Sequence, residues 1–296
     1  MAIEKELFDL LYSLRSNLKG KKIVSLGNPY LSKVNLYKYF QVDLLEIKSI
    51  QINELSKYVF EKYFEVKTFK IIDINGDENA DLIHNLNFEI IQHDLINQFD
   101  FVIDPGTSEH IFNQEENLSN IFKLLKNNGM YLFSLPANSW IDHGFRQYSP
   151  TYFYDMCAAN NGKLMLSALG LSCFWINLDC VPLYKRYDKK FEEVFDSEIY
   201  SKVQIFNNFG FKTGLMMRLI NKLGSPTMVN GIIKKLDNNI DFINVNQFIY
   251  RIYNLDQVTS NQKRRLNKSN ILKFIKEFIF IFPIPTILKI YILRIL

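Results

Sequence analysis

Apolar residues in the first half of the chain alternate between helical spacing and short continuous runs. Between residues 3 and 18 they recur every three or four positions, as on one buried helical face, and Gly20 supplies the stop. Helical spacing returns over residues 31–64 and 111–126. The short apolar runs predict strands at 21–26, 69–74, 80–83, 99–103 and 130–135.

Strands that alternate with helices predict an α/β fold with a doubly wound, Rossmann-like and mostly parallel sheet covered on both faces. After Pro150 the spacing predicts a helix over 151–160 and strands near 164–169, 174–181 and 213–220. These strands would complete the sheet with an antiparallel edge. We therefore expect an α/β domain over residues 1–255 and a helical C-terminal appendage over residues 256–296.

Composition and charge narrow the class of protein. The 296 residues are 48% hydrophobic and 22% charged, so the chain can bury a full core and is not disordered throughout. The net charge of +4 is uneven, because residues 257–296 hold eight basic residues and one acid, which leaves −3 on the rest. No nucleic-acid partner is therefore expected for the α/β domain. The three cysteines form no C-x-x-C pair, and no secretory leader is evident, so a cytoplasmic protein is expected.

Ligands of a doubly wound sheet bind where loops converge at the carboxyl ends of the strands. Gly27 follows the first long strand, and its missing Cβ would let a cofactor approach the backbone. It stands alone, however, and not in the G-x-G-x-x-G fingerprint of dinucleotide sites. Asp73 ends the next strand, where a carboxylate can accept both ribose hydroxyls. An ordinary turn and an ordinary cap explain the same two residues.

Residues 99–110 contain a first candidate for acid–base chemistry. A buried strand delivers Asp104 to the sheet edge, a Pro-Gly turn follows, and Glu109 and His110 are predicted to open a helix. Near a helix N-terminus an imidazole is favoured in its neutral form, which suits a general base. Helix capping and compensation of the helix dipole account for these residues equally well.

Residues 136–150 form a long polar and aromatic loop after a buried strand, and such a loop is costly to order unless it binds something. Asp142 beside His143 offers a second candidate base. A solvated loop that happens to carry a histidine is the alternative. The candidates for lining an acceptor pocket are Asn138, Trp140, Phe145 and Tyr148.

Two stretches resemble the class I S-adenosylmethionine-dependent methyltransferases. They are FDFVIDPGTSEHIFN at 99–113 and NNGMYLFSLPANSWIDHGFRQYSPTYFYD at 127–155. They are similar to a bacterial subgroup associated with sugar and cell-surface glycan gene clusters. The resemblance covers residues 21–162, and it departs from the family at Asn28, where Arg is commoner, and at Asn85, where Asp is usual.

The resemblance implies S-adenosylmethionine as the cofactor. Gly27 would lie against its methionine part, Asp73 would hold its ribose and Asn85 would lie near its adenine. Three further residues at the same strand ends complete the implied cofactor site: Asn28, Ile74 and Asp104.

Methyl transfer from a sulfonium is an in-line displacement, so the protein mainly has to align acceptor, methyl and sulfur. A hydroxyl acceptor must also lose its proton, for which His143 or His110 is the candidate base, oriented by Glu109 or Asp142. We therefore predict O-methylation of a sugar, a glycan or another small-molecule hydroxyl. No ligand spacing predicts a metal, although Asp104, Glu109 and His143 could hold a divalent ion.

Two other functions are compatible with the sequence. A catalytically inactive, methyltransferase-like scaffold at a membrane surface is favoured by the single glycine of the first turn and by Asn85. A nicotinamide oxidoreductase ranks third, because the pyrophosphate fingerprint is missing.

The end of the chain is apolar and basic. Its longest uncharged run, residues 278–288, has eleven residues, well below the ~20 that span a bilayer. The three basic residues at 263–265 precede it, and this pattern favours an anchor on an anionic inner membrane surface. A helix packed on the α/β domain or in a homodimer interface is the alternative.

Overall fold

The computed structural model describes residues 2–3, 5–31, 33–160, 162–173, 181–182, 226–242 and 245. The predicted strand over 213–220, most of the predicted strand over 174–181 and the appendage over 256–296 lie outside these residues. Within the described ranges, every helix is too short or too polar to cross a membrane.

The amphipathic segment predicted as a helix over residues 3–18 is helical from Lys5, whereas its first apolar residue, Ile3, lies in a strand. It forms α1 (Lys5–Ser13) and α2 (Arg15–Leu18), preceded by the short strand β1 (Ala2–Ile3). The six apolar residues that define its stripe are each at most 1% exposed: Ile3, Leu7, Leu10, Leu11, Leu14 and Leu18. The elements that follow are β2 (Lys22–Leu26), β3 (Tyr30–Leu31), α3 (Lys33–Phe40), α4 (Leu44–Ser49), α5 (Ile52–Lys62) and β4 (Thr68–Asp73).

Strands and helices continue to alternate in the second half of the described chain. Two single 3₁₀ turns, Gly76–Glu78 and Ser108–His110, lie in loops. The regular elements are β5 (Leu82–Ile83), β6 (Phe99–Asp104), α6 (Gln114–Leu124), β7 (Leu125–Asn138), α7 (Pro150–Ala159), β8 (Leu164–Cys173), β9 (Val181–Pro182) and β10 (Thr227–Lys235).

Eight strands form one sheet in the order β5-β4-β2-β6-β7-β10-β8-β9. The first five of these are mutually parallel, whereas β10 runs antiparallel to β7 and β8, and β9 runs antiparallel to β8. The chain moves outward from β2 to β4 and β5 and then crosses to β6 on the other side of β2. This confirms the predicted doubly wound, mostly parallel sheet with an antiparallel edge, and its topological switch lies between β2 and β6.

The centre of the sheet is held by apolar packing from the helices. Four of the five residues of β2 are buried. Next to it, Phe69 of β4 stacks on Phe60 of α5 with ring centroids 4.2 Å apart, and Phe60 in turn stacks on Phe64. Buried residues of α1, α3 and α5 belong to the same apolar cluster as buried residues of β2, β4 and β6. The strand ends at the switch are therefore fixed by a dense core.

Several elements differ from the predictions. The short strands β1 and β3 form a separate parallel pair that was not predicted, and they contain Ile3 and Leu31, which the spacing had placed in helices. The helix predicted over 111–126 is shorter, since α6 covers only Gln114–Leu124 and passes directly into β7. The strand between β7 and β8 is β10, which the sequence pattern did not predict. It carries Asn230-Gly231 at its centre, a pair that is typical of hairpin turns.

Candidate active site

The turn after β2 is joined to the end of β4. Gly27 has φ +74°, in the left-handed region that favours glycine, and its N–H donates to the carbonyl of Ile72 at 2.7 Å. The backbone N–H of Asn28 donates to the Asp73 carboxylate at 3.3 Å. The sequence-predicted residues Gly27 and Asp73 are therefore adjacent at one strand end.

The side chain of Asn28 is turned into the protein. Its amide nitrogen donates to the carbonyls of Asn53 at 2.7 Å and Glu78 at 2.8 Å, and its amide oxygen accepts from the Ser56 hydroxyl at 2.8 Å. These contacts tie the turn after β2 to α5 and to the 3₁₀ turn after β4. Asn28 is buried together with Gly27 and Pro29. Its amide therefore stabilises the turn and does not face the candidate site.

Asp73 and Ile74 keep accessible surface at the end of β4. Each carboxylate oxygen of Asp73 accepts one backbone N–H, from Asn28 and from Asn75. A carboxylate oxygen has a second lone pair, so both can still accept a hydroxyl. Ile74 is 67% exposed, which leaves a large apolar side chain open beside this carboxylate.

Asn85 follows β5 and is half-buried. Its side-chain oxygen accepts from the backbone N–H of Asn87 at 3.0 Å and from the Asn87 amide at 2.8 Å. The Asn87 oxygen accepts in turn from the backbone of Phe112 and Asn113. Asn85 is thus part of a network that links the loop after β5 to the loop after β6.

Asp104 is fully buried and holds the loop after β6. Its carboxylate accepts from the backbone of Thr107 at 2.8 Å and Ser108 at 3.3 Å, from the Ser108 hydroxyl and from the Tyr131 hydroxyl at 2.9 Å. The pKa of Asp104 is raised, because the effect of burial exceeds the opposing effect of these hydrogen bonds. The Thr107 hydroxyl also donates to the carbonyl of Leu26 at the end of β2. Asp104 therefore holds this loop from the protein interior, and Thr107 connects the loop to β2 across the topological switch.

Glu109 meets two imidazoles just beyond this loop. Its carboxylate Oε1 lies 3.5 Å from Nε2 of His143 and 3.8 Å from Nε2 of His110. Glu109 is 1% exposed, while each histidine side chain is 41% exposed. The structure thereby brings together three of the four predicted catalytic residues from two loops.

Burial and neighbouring charge shift the pKa values of this cluster. Burial, followed by the Asp104 carboxylate, raises the pKa of Glu109 to about 8. Burial and the neighbouring His143 lower the pKa of His110, which favours a neutral imidazole. The prediction that Glu109 and His110 open a helix is wrong, since they lie in a single 3₁₀ turn and α6 begins at Gln114. Desolvation and charge, rather than a helix terminus, therefore set the state of His110.

The loop after β7 closes over Glu109. Gly144 lies against it, because an added Cβ would come within 3.0 Å of the Glu109 Cγ and carbonyl oxygen. The N–H of Phe145 donates to that carbonyl at 2.9 Å. Trp140 packs beside His143 with ring centroids 5.0 Å apart, and its indole N–H donates to the carbonyl of Thr227 in β10.

The other predicted residues of this loop occupy different environments. Asp142 is exposed and has φ +62°. The carboxylate that lies 3.5 Å from His143 is that of Glu109. Asn138 is exposed at the end of β7. Tyr148 is buried, and its hydroxyl donates to Gln114 at 2.8 Å.

A cavity of about 600 Å³ adjoins this loop. Its lining combines aromatic side chains with one cation and one buried carboxyl group, and it includes Phe145, Arg146, Tyr148, Tyr152 and Asp155. Half of its ten described lining residues are polar or charged, so the cavity offers several hydrogen-bonding groups to a ligand, and Glu109, His110 and His143 are not among the lining residues.

Several residues that shape the site were not predicted from the sequence. Tyr131 and Gln114 support Asp104 and Tyr148, and Gly144 allows the close approach to Glu109. Gly144 was visible in the sequence as a glycine directly after a candidate base, and a glycine permits a close approach of the backbone without requiring it. Tyr131 lies in a continuous apolar run, so its hydroxyl bond to Asp104 had no sequence signal.

No protein-family model matches the chain, and no curated protein sequence matches it. Among solved structures, an O-methyltransferase from a trans-AT PKS multienzyme of Brevibacillus brevis, in complex with S-adenosyl-L-homocysteine, is 9% identical with a TM-score of 0.43. That comparison covers 78% of this chain and 71% of the other.

Two further solved structures are similar over much of the chain. A protein of Galdieria sulphuraria, provisionally described as a sarcosine dimethylglycine methyltransferase, is 14% identical with a TM-score of 0.42, over 79% of this chain and 86% of that one. Phosphoethanolamine N-methyltransferase 2 of Haemonchus contortus, in complex with S-adenosyl-L-methionine, is 10% identical with a TM-score of 0.38, over 77% of this chain and 56% of that one. All three of these proteins carry methyltransferase names.

Proposed function

We propose that the chain is an S-adenosylmethionine-dependent methyltransferase that methylates a hydroxyl group of a sugar, a glycan or another small molecule. One observation carries the proposal. The paired turns of Gly27 and Asp73 lie at the topological switch of a doubly wound sheet, and a contact between Thr107 and Leu26 joins them to the loop that presents Glu109.

Asp73, Ile74 and Asn85 are the proposed cofactor contacts, because they keep surface at the carboxyl ends of β4 and β5. The Asp73 carboxylate would accept the ribose hydroxyls, and the exposed Ile74 would pack on the adenine ring. Asn28 and Asp104 are assigned supporting roles, since their side chains are engaged by the protein. Gly27 would keep the turn after β2 in the left-handed conformation that this arrangement requires.

The reaction would transfer the methyl group to an acceptor oxygen. The carbon–sulfur bond of the cofactor breaks as the carbon–oxygen bond forms, S-adenosylhomocysteine leaves, and the acceptor loses its hydroxyl proton. The cluster of Glu109, His110 and His143 would activate this hydroxyl, with His143 as the first candidate to take the proton. The cavity beside Phe145 and Arg146 would hold the rest of the acceptor.

Labelled methyl transfer tests this function directly. The full-length protein would be incubated with S-adenosylmethionine labelled in the methyl group and with a bacterial surface-glycan fraction, and both label transfer and S-adenosylhomocysteine would be measured. Removing a general base typically costs about 10²–10⁴-fold in rate. We therefore expect a loss of this order for His143→Ala or His110→Ala, whereas the control His93→Ala, outside the cluster, should retain activity. Equal rates in all three variants would contradict the assignment.

A further inference from the structure

We propose that Glu109, His110 and His143 bind one divalent first-row transition-metal ion, which holds and activates the acceptor oxygen. The binding site stands on its own geometry, and its role in the reaction rests on the proposed function. The potential ligand atoms of the three residues all lie within 4.8 Å of one another. Two imidazoles and one carboxylate form a ligand set that suits iron or zinc better than magnesium or calcium, which prefer oxygen ligands alone.

The burial of the Glu109 carboxylate supports the metal site independently of the clustering of the ligand atoms. Its Oε2 atom is buried and has no hydrogen-bond partner among the described residues, while Oε1 points to the two imidazoles. A buried carboxylate without such partners is costly, and a divalent cation would compensate it. The contact of Gly144 and the hydrogen bond from Phe145 hold Glu109 in place beneath the histidines.

The three ligand atoms all lie within 4.8 Å of one another, so the site would have to contract to bind one cation. Ligand atoms that bind one metal at about 2.0–2.2 Å lie about 3.0–3.5 Å apart when they are neighbours in the coordination sphere. The separations from Glu109 Oε1, 3.5 Å to His143 and 3.8 Å to His110, are near this range. Both imidazoles are partly exposed, so small side-chain rotations would complete the geometry.

A metal at this position would have open coordination sites toward solvent. An acceptor hydroxyl bound there would ionise more readily, because a bound cation lowers the pKa of a coordinated oxygen acid. With the metal bound, the two histidines would act as ligands, so His143 would no longer be the base and the proton would pass to solvent instead. This gives the cluster a way to activate a hydroxyl without a free base.

Metal binding to the full-length protein tests the site without any methyl acceptor. After treatment with a chelator, the protein would be titrated with Co²⁺, followed by its visible absorption, and with Mn²⁺, with free Mn²⁺ followed by electron paramagnetic resonance. We expect one ion per chain. We expect its affinity to fall more than about tenfold in His110→Ala and in His143→Ala, because loss of even an outer partner of a ligand costs about 10–100-fold.

Three controls keep the result interpretable. The remaining two of the four histidines supply matched variants, His84→Ala and His93→Ala, which should bind both ions as the wild type does. Since both ligand histidines are exposed, their variants should fold, and thermal unfolding would verify this. Titration with S-adenosylhomocysteine would be performed on the same samples.

The outcomes separate the two proposals. Absence of saturable binding of both Co²⁺ and Mn²⁺, or binding that is unchanged in both ligand variants, would overturn the metal site even if S-adenosylhomocysteine binds. Histidine-dependent binding of either ion without S-adenosylhomocysteine binding would support the metal site and count against the methyltransferase.

Discussion

Two glycines with nearly the same backbone conformation allow the effect of backbone strain to be distinguished from the effect of lost ligand contact. Gly27 has φ +74° and lies in the proposed cofactor turn, whereas Gly20 has φ +70° and would meet nothing within 4 Å if it carried a Cβ. Alanine at either position costs about 1–2 kcal/mol of unfolding free energy, because an L-residue is strained in this region. Only Gly27→Ala should also weaken S-adenosylhomocysteine binding, by about tenfold, which corresponds to about 1.4 kcal/mol.

Urea unfolding and calorimetry measure these two effects separately. If Gly20→Ala weakened the ligand as much as Gly27→Ala, or if neither variant did, the turn after β2 would not contribute to the cofactor site.

Asp104 is expected to matter for stability more than for direct ligand contact. Asp104→Ala would leave the donors of Thr107, Ser108 and Tyr131 without their buried acceptor. Since each such group costs about 1–3 kcal/mol, we expect a loss of about 3 kcal/mol or more in urea unfolding. The matched variant Tyr131→Phe removes one of these bonds and should cost about 1 kcal/mol. Similar losses in both variants would contradict the role given to the carboxylate.

At the residue scale, position was easier to predict than orientation. Glu109 and His143 could be selected because they follow buried strands, and the structure brings them within 3.5 Å. The inward orientation of Asn28 depends on Asn53 and Glu78, which are 25 and 50 residues away. No local pattern specifies partners at that separation.

At the scale of elements, β10 shows where hydrophobic patterning is insufficient. Its residues are mostly buried, and it lies inside the sheet between its hydrogen-bonded neighbours β7 and β8. Asn230 and Gly231 at its centre are typical of a turn, so only the neighbouring strands determine that this segment is extended. The helices between residues 5 and 18 were predictable because their apolar stripe needs only one apolar surface to pack on.

Lys235 joins β10 to the end of α6. It is 2% exposed, and its ammonium donates to Asn97 at 3.0 Å and to the carbonyls of Phe122 and Leu125 at 2.6 Å. Lys235→Met should therefore lower the unfolding free energy by about 2–3 kcal/mol, because buried carbonyls lose their donor. Lys67→Met, at an exposed position just before β4, is the control and should cost less than about 1 kcal/mol. Equal losses in urea unfolding would exclude this anchoring role.

At the scale of the whole molecule, alternating elements were enough to predict the architecture. Parallel strands require crossovers, and crossovers of consistent hand place helices on both faces of the sheet. The division at residue 255 and the homodimer remain predictions. They concern the C-terminal appendage, which lies outside the described residues.

Membrane binding by the appendage is tested with the full-length chain. The sequence predicts flotation with anionic vesicles but not with phosphatidylcholine vesicles. Each basic residue near such a surface contributes about 1 kcal/mol. The combined substitution Lys263→Gln, Arg264→Gln and Arg265→Gln should therefore weaken binding by about 100-fold, whereas the same change at Lys19, Lys21 and Lys22 should not. Equal flotation of both triple variants would remove the anionic-membrane prediction.

Calorimetric titration of the full-length protein with S-adenosylhomocysteine tests the account most directly. We expect one site per chain, and added unfolding free energy of about 2.7 kcal/mol when the ligand is at 100 times its Kd. Asp73→Ala should weaken binding more than about tenfold, because it removes the proposed acceptor of the ribose hydroxyls, while Asp94→Ala should not change it. No binding by folded wild-type protein, or equal binding by Asp73→Ala, would show that the strand ends at Gly27 and Asp73 do not hold this cofactor.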